Sequence, residues 1–316
     1  MPFEIKNAPS GSTWGKERFV TAQDGLRLHV REDGPCTASA LPVVCLPGLA
    51  RTVADFDSLA PALANGDPPR RLIAIDSRGR GRSDYDKNPA NYNLAVELGD
   101  VVSVLSALEI GSAIFVGSSR GGLLTMLLAV AHPTAVAGAV LHDIGPVIEP
   151  KGLARIKSYV GKLPQPRDYA DGAEILRRLF DAQFPKFTAE QWLAAAHRTW
   201  KNEGSKLLPT YDVRLSRTLA EIDIERPLPA MWNEFDALMR VPVLVIRGAN
   251  SDILSAATAA AMAERHPGME FVEIPDEGHV PTLDNPDLIQ RIGEFLRICD
   301  ADAGHCVPAA EGALPL

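Results

Sequence analysis

The chain is short of the features that mark several protein classes. Its four cysteines, Cys36, Cys45, Cys299 and Cys306, include no C-x-x-C pair, which removes the usual redox and zinc frameworks and leaves reduced thiols as the simplest reading. No run approaches the ~18 apolar residues of a membrane span, and the start, MPFEIKNAPSG, has no apolar stretch behind a basic one. A cytoplasmic protein without a membrane partner is expected. Basic residues are outnumbered, with Lys plus Arg at 32 against Asp plus Glu at 40 and a formal net charge of -8. The only basic cluster, Arg78 to Arg82 in RGRGR, is flanked by Asp76, Asp84 and Asp86. Phosphate backbones are bound by clustered cations, so no nucleic-acid partner is expected. H-E-x-x-H, a P-loop and a complete G-x-G-x-x-G are also missing, and no metal or cofactor is called for.

What the chain does have is 316 residues with 46% hydrophobic content, enough for a globular domain with an insertion. RFVTAQDGLRLHVRED carries an Asp24-Gly25 turn signal between alternating segments and reads as an antiparallel hairpin. After it come continuous apolar runs, PVVCLPG, RLIAID, AIFVGSS, AVAGAVLHDIG and VPVLVIRGANS, the pattern of strands buried on both faces. Between two of them Leu94, Leu98, Val101, Val102, Leu105 and Leu108 form a helical stripe ending at Gly111. Strands alternating with helices predict a mostly parallel twisted sheet with helices on both faces, an α/β fold.

The alternation stops at about Pro146. From there to Leu238 the sequence reads as helices broken by Pro and Gly, including TAEQWLAAAHRTWKNE, and is taken as a helical cap over residues 146–238. The core then comprises 1–145 and 239–303, with EFVEIP as a last strand, a closing helix near Asn285 to Ile298, and a flexible tail over 304–316.

Gly117-Ser118-Ser119-Arg120-Gly121 matches G-x-S-x-G between a buried strand and the apolar helix LLTMLLAV. A serine in a tight strand-to-helix turn stands clear of the sheet edge, and its glycines are needed where a Cβ would meet neighbouring backbone. Only Ser119 fits the frame, because position 116 is valine. A serine hydroxyl needs a base, and the base needs an orienting carboxylate. Asp252 in ANSDIL and His279 in PDEGHVPTL follow later strands, so parallel strands would bring Ser119, Asp252 and His279 to one edge. Among the other histidines, His142 is the serious rival because it ends a buried strand. Asp143 beside it is the alternative acid, with Asp252 preferred; Asp143 could instead brace a loop or pair with Arg120. A guanidinium at a helix N-terminus opposes the helix dipole and calls for an anion or a substrate group nearby.

The serine elbow, DSRGRGRSD, RGANSD and EGHVPTLDNP together resemble the α/β-hydrolase superfamily over roughly Phe19 to Ile298, and the helical insertion resembles its cap domain. The resemblance implies a Ser119, His279, Asp252 triad and an oxyanion hole from the backbone N–H groups of Leu49 and Arg120. In place of the superfamily's common His-Gly pair the chain has Pro47-Gly48, which puts the support of that loop in question. It also implies a carboxylesterase-like serine hydrolase acting on a small ester, lactone or related acyl compound through an acyl-enzyme. Carbon-carbon bond hydrolysis by the same triad is the competing chemistry, and a ligand-binding or signalling protein with little turnover is the competing class. A serine nucleophile disfavours the epoxide hydrolase and dehalogenase branches, which use aspartate. Trp192, Trp200, Tyr211, Trp232 and Phe235 are candidates for the pocket lining. The oligomeric state stays open between monomer and homodimer.

Overall fold

The computed structural model describes residues 14–37, 39–220, 222–223 and 228–304. Its strands are β1 (Lys16–Thr21), β2 (Arg27–Asp33), β3 (Val43–Leu46), β4 (Leu72–Ile75), β5 (Ala113–Ser118), β6 (Val136–His142), β7 (Trp200–Glu203), β8 (Lys206–Pro209), β9 (Val243–Gly248) and β10 (Glu270–Ile274). Its α-helices are α1 (Leu59–Ala64), α2 (Leu94–Ala107), α3 (Arg120–Ala131), α4 (Pro150–Tyr159), α5 (Tyr169–Phe180), α6 (Ala189–Thr199), α7 (Ser216–Ala220), α8 (Trp232–Asp236), α9 (Ala256–Arg265) and α10 (Pro286–Asp302).

The continuous apolar runs behave as expected of central strands. In β3, Val44 and Leu46 enter one buried cluster while Val43 and Cys45 enter another; β5 divides the same way, with Ala113 and Phe115 against Ile114 and Val116. Successive side chains leave a strand on opposite faces, so both faces must be covered, and helices cover them. Each fully buried Val, Leu, Ile or Phe contributes about 1.5–3 kcal/mol over its exposed state. The sheet has 8 strands in the order β1-β2-β4-β3-β5-β6-β9-β10. The β1–β2 hairpin is antiparallel, β2 meets β4 antiparallel, and β4, β3, β5, β6, β9 and β10 run parallel. The carboxyl ends of β3, β5, β6, β9 and β10 therefore share one edge. Cys45 and Cys299 are buried and free, and burial raises both thiol pKa values.

Between β6 and β9 the chain places α4 to α8 and a two-stranded sheet. Here the sequence reading is corrected. The helix expected to run to Glu203 stops at Thr199, and Trp200–Glu203 pairs antiparallel with Lys206–Pro209. The reason is local: Gly204, at φ +65°, makes the tight reversal that an L side chain resists, and the β-branched Thr199 precedes a strand that buries Trp200. The inserted segment is stitched to the Arg78–Arg82 loop by Gly81 N donating to Thr210 O at 2.7 Å and Asp212 N donating to Gly79 O at 2.7 Å, and to the segment before α2 by Tyr92 Oη donating to Asp212 Oδ2 at 2.6 Å. Except for Gly304, the expected flexible tail lies outside the described residues. Among the described residues no helix is long and apolar enough to cross a membrane.

Candidate active site

Ser119 sits between β5 and α3 at φ 49°, ψ -113°, a positive φ uncommon for a residue with a Cβ. Such a conformation costs on the order of 1–3 kcal/mol and persists only where neighbours impose it. They do so by close approach. A Cβ on Gly117 would lie 2.5 Å from Gly122 N, and one on Gly121 would lie 2.0 Å from Leu46 O, so the strand, the turn and the helix can come together only with glycine at both positions. Ser119 N also donates to His142 O at 2.9 Å, fastening the turn to β6.

Two other loops on this edge complete a chain of contacts. Ser119 Oγ lies 2.8 Å from His279 Nε2, and His279 Nδ1 lies 2.7 Å from Asp143 Oδ2. A carboxylate can only accept, so Nδ1 carries the ring proton and Nε2 is left to accept from the Ser119 hydroxyl. Asp143 is fully buried and itself held: Gly248 N donates to its Oδ1 at 2.8 Å and Ser251 Oγ to its Oδ2 at 2.6 Å.

The carboxylate expected at His279 was that of Asp252, and this expectation is corrected. Asp252 accepts from Arg155 of α4, Nε to Oδ2 at 2.7 Å and Nη2 to Oδ1 at 2.7 Å. Burial alone would raise its pKa, but Arg155 holds it below the ordinary carboxylate value. Both its oxygens are committed to a permanent cation, whereas Asp143 stands one strand closer to Ser119 in the sheet order. Arg155 comes from a helix whose placement no local pattern reveals.

His142, the rival base, pairs with the other serine. Its Nδ1 is 2.7 Å from Ser118 Oγ, and burial is the main cause that pushes its pKa down to about 4, which keeps the ring neutral near pH 7. A small cavity is lined by Ser118, His142, Arg51, Asp55, Arg198 and Pro281, among others, and Ser119 is not one of its walls.

The Gly48 backbone lies beside the elbow, since a Cβ there would be 3.7 Å from Ser119 Cβ. Leu49 follows Gly48 directly in the chain, and the Arg120 amide is one of the N–H groups at the start of α3 that have no partner within the helix. Arg120 does not reach Asp143. Its Nε donates to Glu97 Oε2 at 2.6 Å, while Arg80 Nη1 donates to Glu97 Oε1 at 2.7 Å. Burial would raise the Glu97 carboxyl, but Arg80 and Arg120 hold it below its usual range. Glu97 was missed in the sequence, although a signal existed: it falls three after Leu94 and four before Val101, a charge on the apolar face of a helix, and such a charge requires buried partners.

The aromatic pocket expectation is corrected too. Trp192 and Trp200 are buried with Leu176 and Phe184 inside the insertion, and Phe235 is buried in the main core. Trp232 packs on that core with the Arg265 guanidinium 4.5 Å from its ring. Tyr211 is buried in a cluster that Leu49 adjoins, and its hydroxyl accepts from Gly161 N at 3.0 Å. Trp192, Trp200 and Phe235 pack the interior, Trp232 is partly buried, and none of the five rings lines the small cavity beside Ser118 and His142. Among the described residues no group of three or more His, Cys, Asp or Glu side chains is placed to hold a metal ion.

The model of the alpha/beta hydrolase family matches residues 43–291. This chain belongs to that family. The hydrolase is 34% identical over 260 residues to the 3-hydroxybutyrate-oligomer hydrolase of Cupriavidus necator, covering 80% of this chain and 87% of the relative. It is 26% identical over 305 residues to the 2-hydroxymuconate semialdehyde hydrolase of a Pseudomonas species, covering 94% of this chain and 99% of that one. The crystal structure of an alpha/beta hydrolase from Novosphingobium aromaticivorans superposes with TM-score 0.82 at 41% identity, covering 91% of this chain and 99% of the other. The fold expected from the sequence is thus borne out, and the protein is an enzyme of the hydrolase type. Its relatives include ester hydrolases and carbon-carbon bond hydrolases.

Proposed function

We propose that this hydrolase cleaves an ester bond in a small substrate through Ser119, His279 and Asp143. The observation that carries the reading is the pair of contacts, 2.8 Å from Ser119 Oγ to His279 Nε2 and 2.7 Å from His279 Nδ1 to Asp143 Oδ2. His279 takes the Ser119 proton as Oγ attacks the acyl carbon, and the amides of Leu49 and Arg120 receive the oxyanion. His279 then protonates the leaving alcohol, and water attacks the acyl-enzyme with His279 again as base. Asp143 keeps the proton on Nδ1 and stabilises the imidazolium that forms in each step. Residues 146–238 act as the cap that closes the site over a small ligand. Similarity to the Cupriavidus necator enzyme supports a short oligoester of a hydroxy acid as the substrate class.

The test is turnover of 4-nitrophenyl butyrate and of a 3-hydroxybutyrate dimer. Ser119→Ala should lose about 10⁶-fold in kcat, while Ser118→Ala keeps most activity. Equal loss in the two variants, or none in Ser119→Ala, contradicts the assignment. Similarity to the Pseudomonas relative supports carbon-carbon cleavage as the second reading, and turnover of 2-hydroxymuconate semialdehyde, with neither ester turned over, would establish it.

A further inference from the structure

The two proposed oxyanion donors come from different loops, Leu49 after β3 and Arg120 at the start of α3, and their separation decides whether both reach one oxygen. A continuous line of side chains crosses from one to the other. Arg80 Nε donates to Leu49 O at 2.7 Å, and Arg80 Nη1 donates to Arg78 O at 2.6 Å and to Glu97 Oε1 at 2.7 Å. Glu97 Oε2 then accepts from Arg120 Nε at 2.6 Å. Arg80 is 0% exposed and Glu97 1%, so water competes little at the centre of the line, while the Arg120 side chain is partly exposed.

As a source of stability this arrangement is poor. A buried Arg-Glu-Arg cluster carries a desolvation penalty that its mutual attraction only roughly offsets, and packed apolar side chains of similar volume often do as well or better. The Arg120 guanidinium also opposes the dipole of α3 at its N-terminus, which Glu97 has to compensate. What apolar packing could not supply is direction and length, because charge-assisted hydrogen bonds fix both. The line ends at one side on the Leu49 carbonyl, one peptide beyond the Leu49 amide, and at the other on the residue that follows Ser119. Pro47-Gly48 lacks a side chain that could brace the first loop, and Arg80 reaches it from a neighbouring loop instead.

We propose that Glu97, gripped by Arg80 and Arg120, is a positioning residue that sets the spacing between the Leu49 and Arg120 amides and so tunes the oxyanion hole. The inference rests on the reading of Ser119 as nucleophile.

Two variants of the full-length enzyme test it, Glu97→Gln and the apolar triple Arg80→Met/Glu97→Leu/Arg120→Met, with 4-nitrophenyl butyrate as substrate. Inhibition is compared between an aliphatic trifluoromethyl ketone, whose adduct carries the oxyanion, and its methyl ketone counterpart, which mimics the bound ground state. Complete loss of one oxyanion donor costs about 10²–10³ in rate, so displacement of the pair should lower kcat about 10- to 100-fold. KM should change less than about threefold, the trifluoromethyl ketone should weaken in step with kcat, and the methyl ketone should bind as before. The triple variant should meanwhile keep its Tm, which separates positioning from loss of fold. Wild-type kcat in a folded triple variant, or equal weakening of both ketones, overturns the proposal. Ser119→Ala is assayed in parallel. If it is inactive while both Glu97 variants keep full kcat, only the positioning role falls; if it retains turnover, the nucleophile assignment and this inference fall together.

Discussion

Asp143 and Asp252 occupy comparable places: each follows a parallel strand, β6 or β9, at the same edge of the sheet, yet they have opposite company. Asp143 is met by an imidazole, a hydroxyl and a backbone amide, none of which carries a permanent charge. Asp252 is met on both oxygens by Arg155, whose charge never leaves. A carboxylate already neutralised by a permanent cation has less field to offer a transient imidazolium, so under the proposed mechanism the partner, more than the position on the fold, decides the role. Asp252 instead joins α4 of the insertion to the core. The bidentate pair fixes α4 where it is, and its energetic worth is limited by partial exposure.

The largest effect that separates the two is kinetic. Asp143→Asn should lower kcat about 10⁴-fold by leaving the wrong tautomer on His279, whereas Asp252→Asn should stay within about tenfold of wild type. Steady-state rates on 4-nitrophenyl butyrate decide it, and a reversed ranking would return the role to Asp252.

Stability against pH sharpens the contrast next. His142, one residue before Asp143, has a folded pKa pushed down to about 4 from 6.5. The unfolded chain therefore binds more protons between these values, and stability rises with pH across that window and is lost as pH falls through it, by on the order of 3 kcal/mol. Asp252 acts lower. Its folded pKa is depressed, so its contribution is present above the unfolded carboxylate value of 3.8 and disappears as pH falls below it. Urea titrations from pH 7 to 3 should show His142→Asn flattening the upper window and Asp252→Asn the lower one. A single unchanged curve for both variants would show that neither environment survives in solution.

A smaller effect concerns the ion pair itself. Asp252→Ala should destabilise by about 1–3 kcal/mol because it leaves the half-buried Arg155 without its acceptor, while the apolar double variant Arg155→Met/Asp252→Leu should recover most of that loss. Thermal melts of the single and double variants measure it; additive losses would mean that the pair is not the coupling between α4 and the core.

Much of this was legible in the sequence, and the limit falls where contacts become non-local. The β5 strand, the glycines around Ser119 and the apolar stripe of α2 are set by residues within a few positions of one another, and period and turn chemistry expose them. His279 could be placed because parallel strands send their following loops to one edge. The acid could not be settled that way, since both Asp143 and Asp252 satisfy the edge rule, and only Arg155, almost a hundred positions from Asp252 along the chain, breaks the tie. The aromatic residues misled for a related reason: Trp192, Trp200 and Phe235 lie on helical and strand faces whose partners are other parts of the interior. Glu97 was legible in principle as a charge on an apolar face, but naming Arg80 and Arg120 as its partners required the fold.

The most direct measurement is the low-field proton NMR signal of the His279 Nδ1–H in the wild type and in each aspartate variant. A proton bonded to a buried carboxylate at 2.7 Å should resonate far downfield, persist in Asp252→Asn and vanish or move upfield in Asp143→Asn. Loss of the signal in Asp252→Asn with retention in Asp143→Asn would contradict the account.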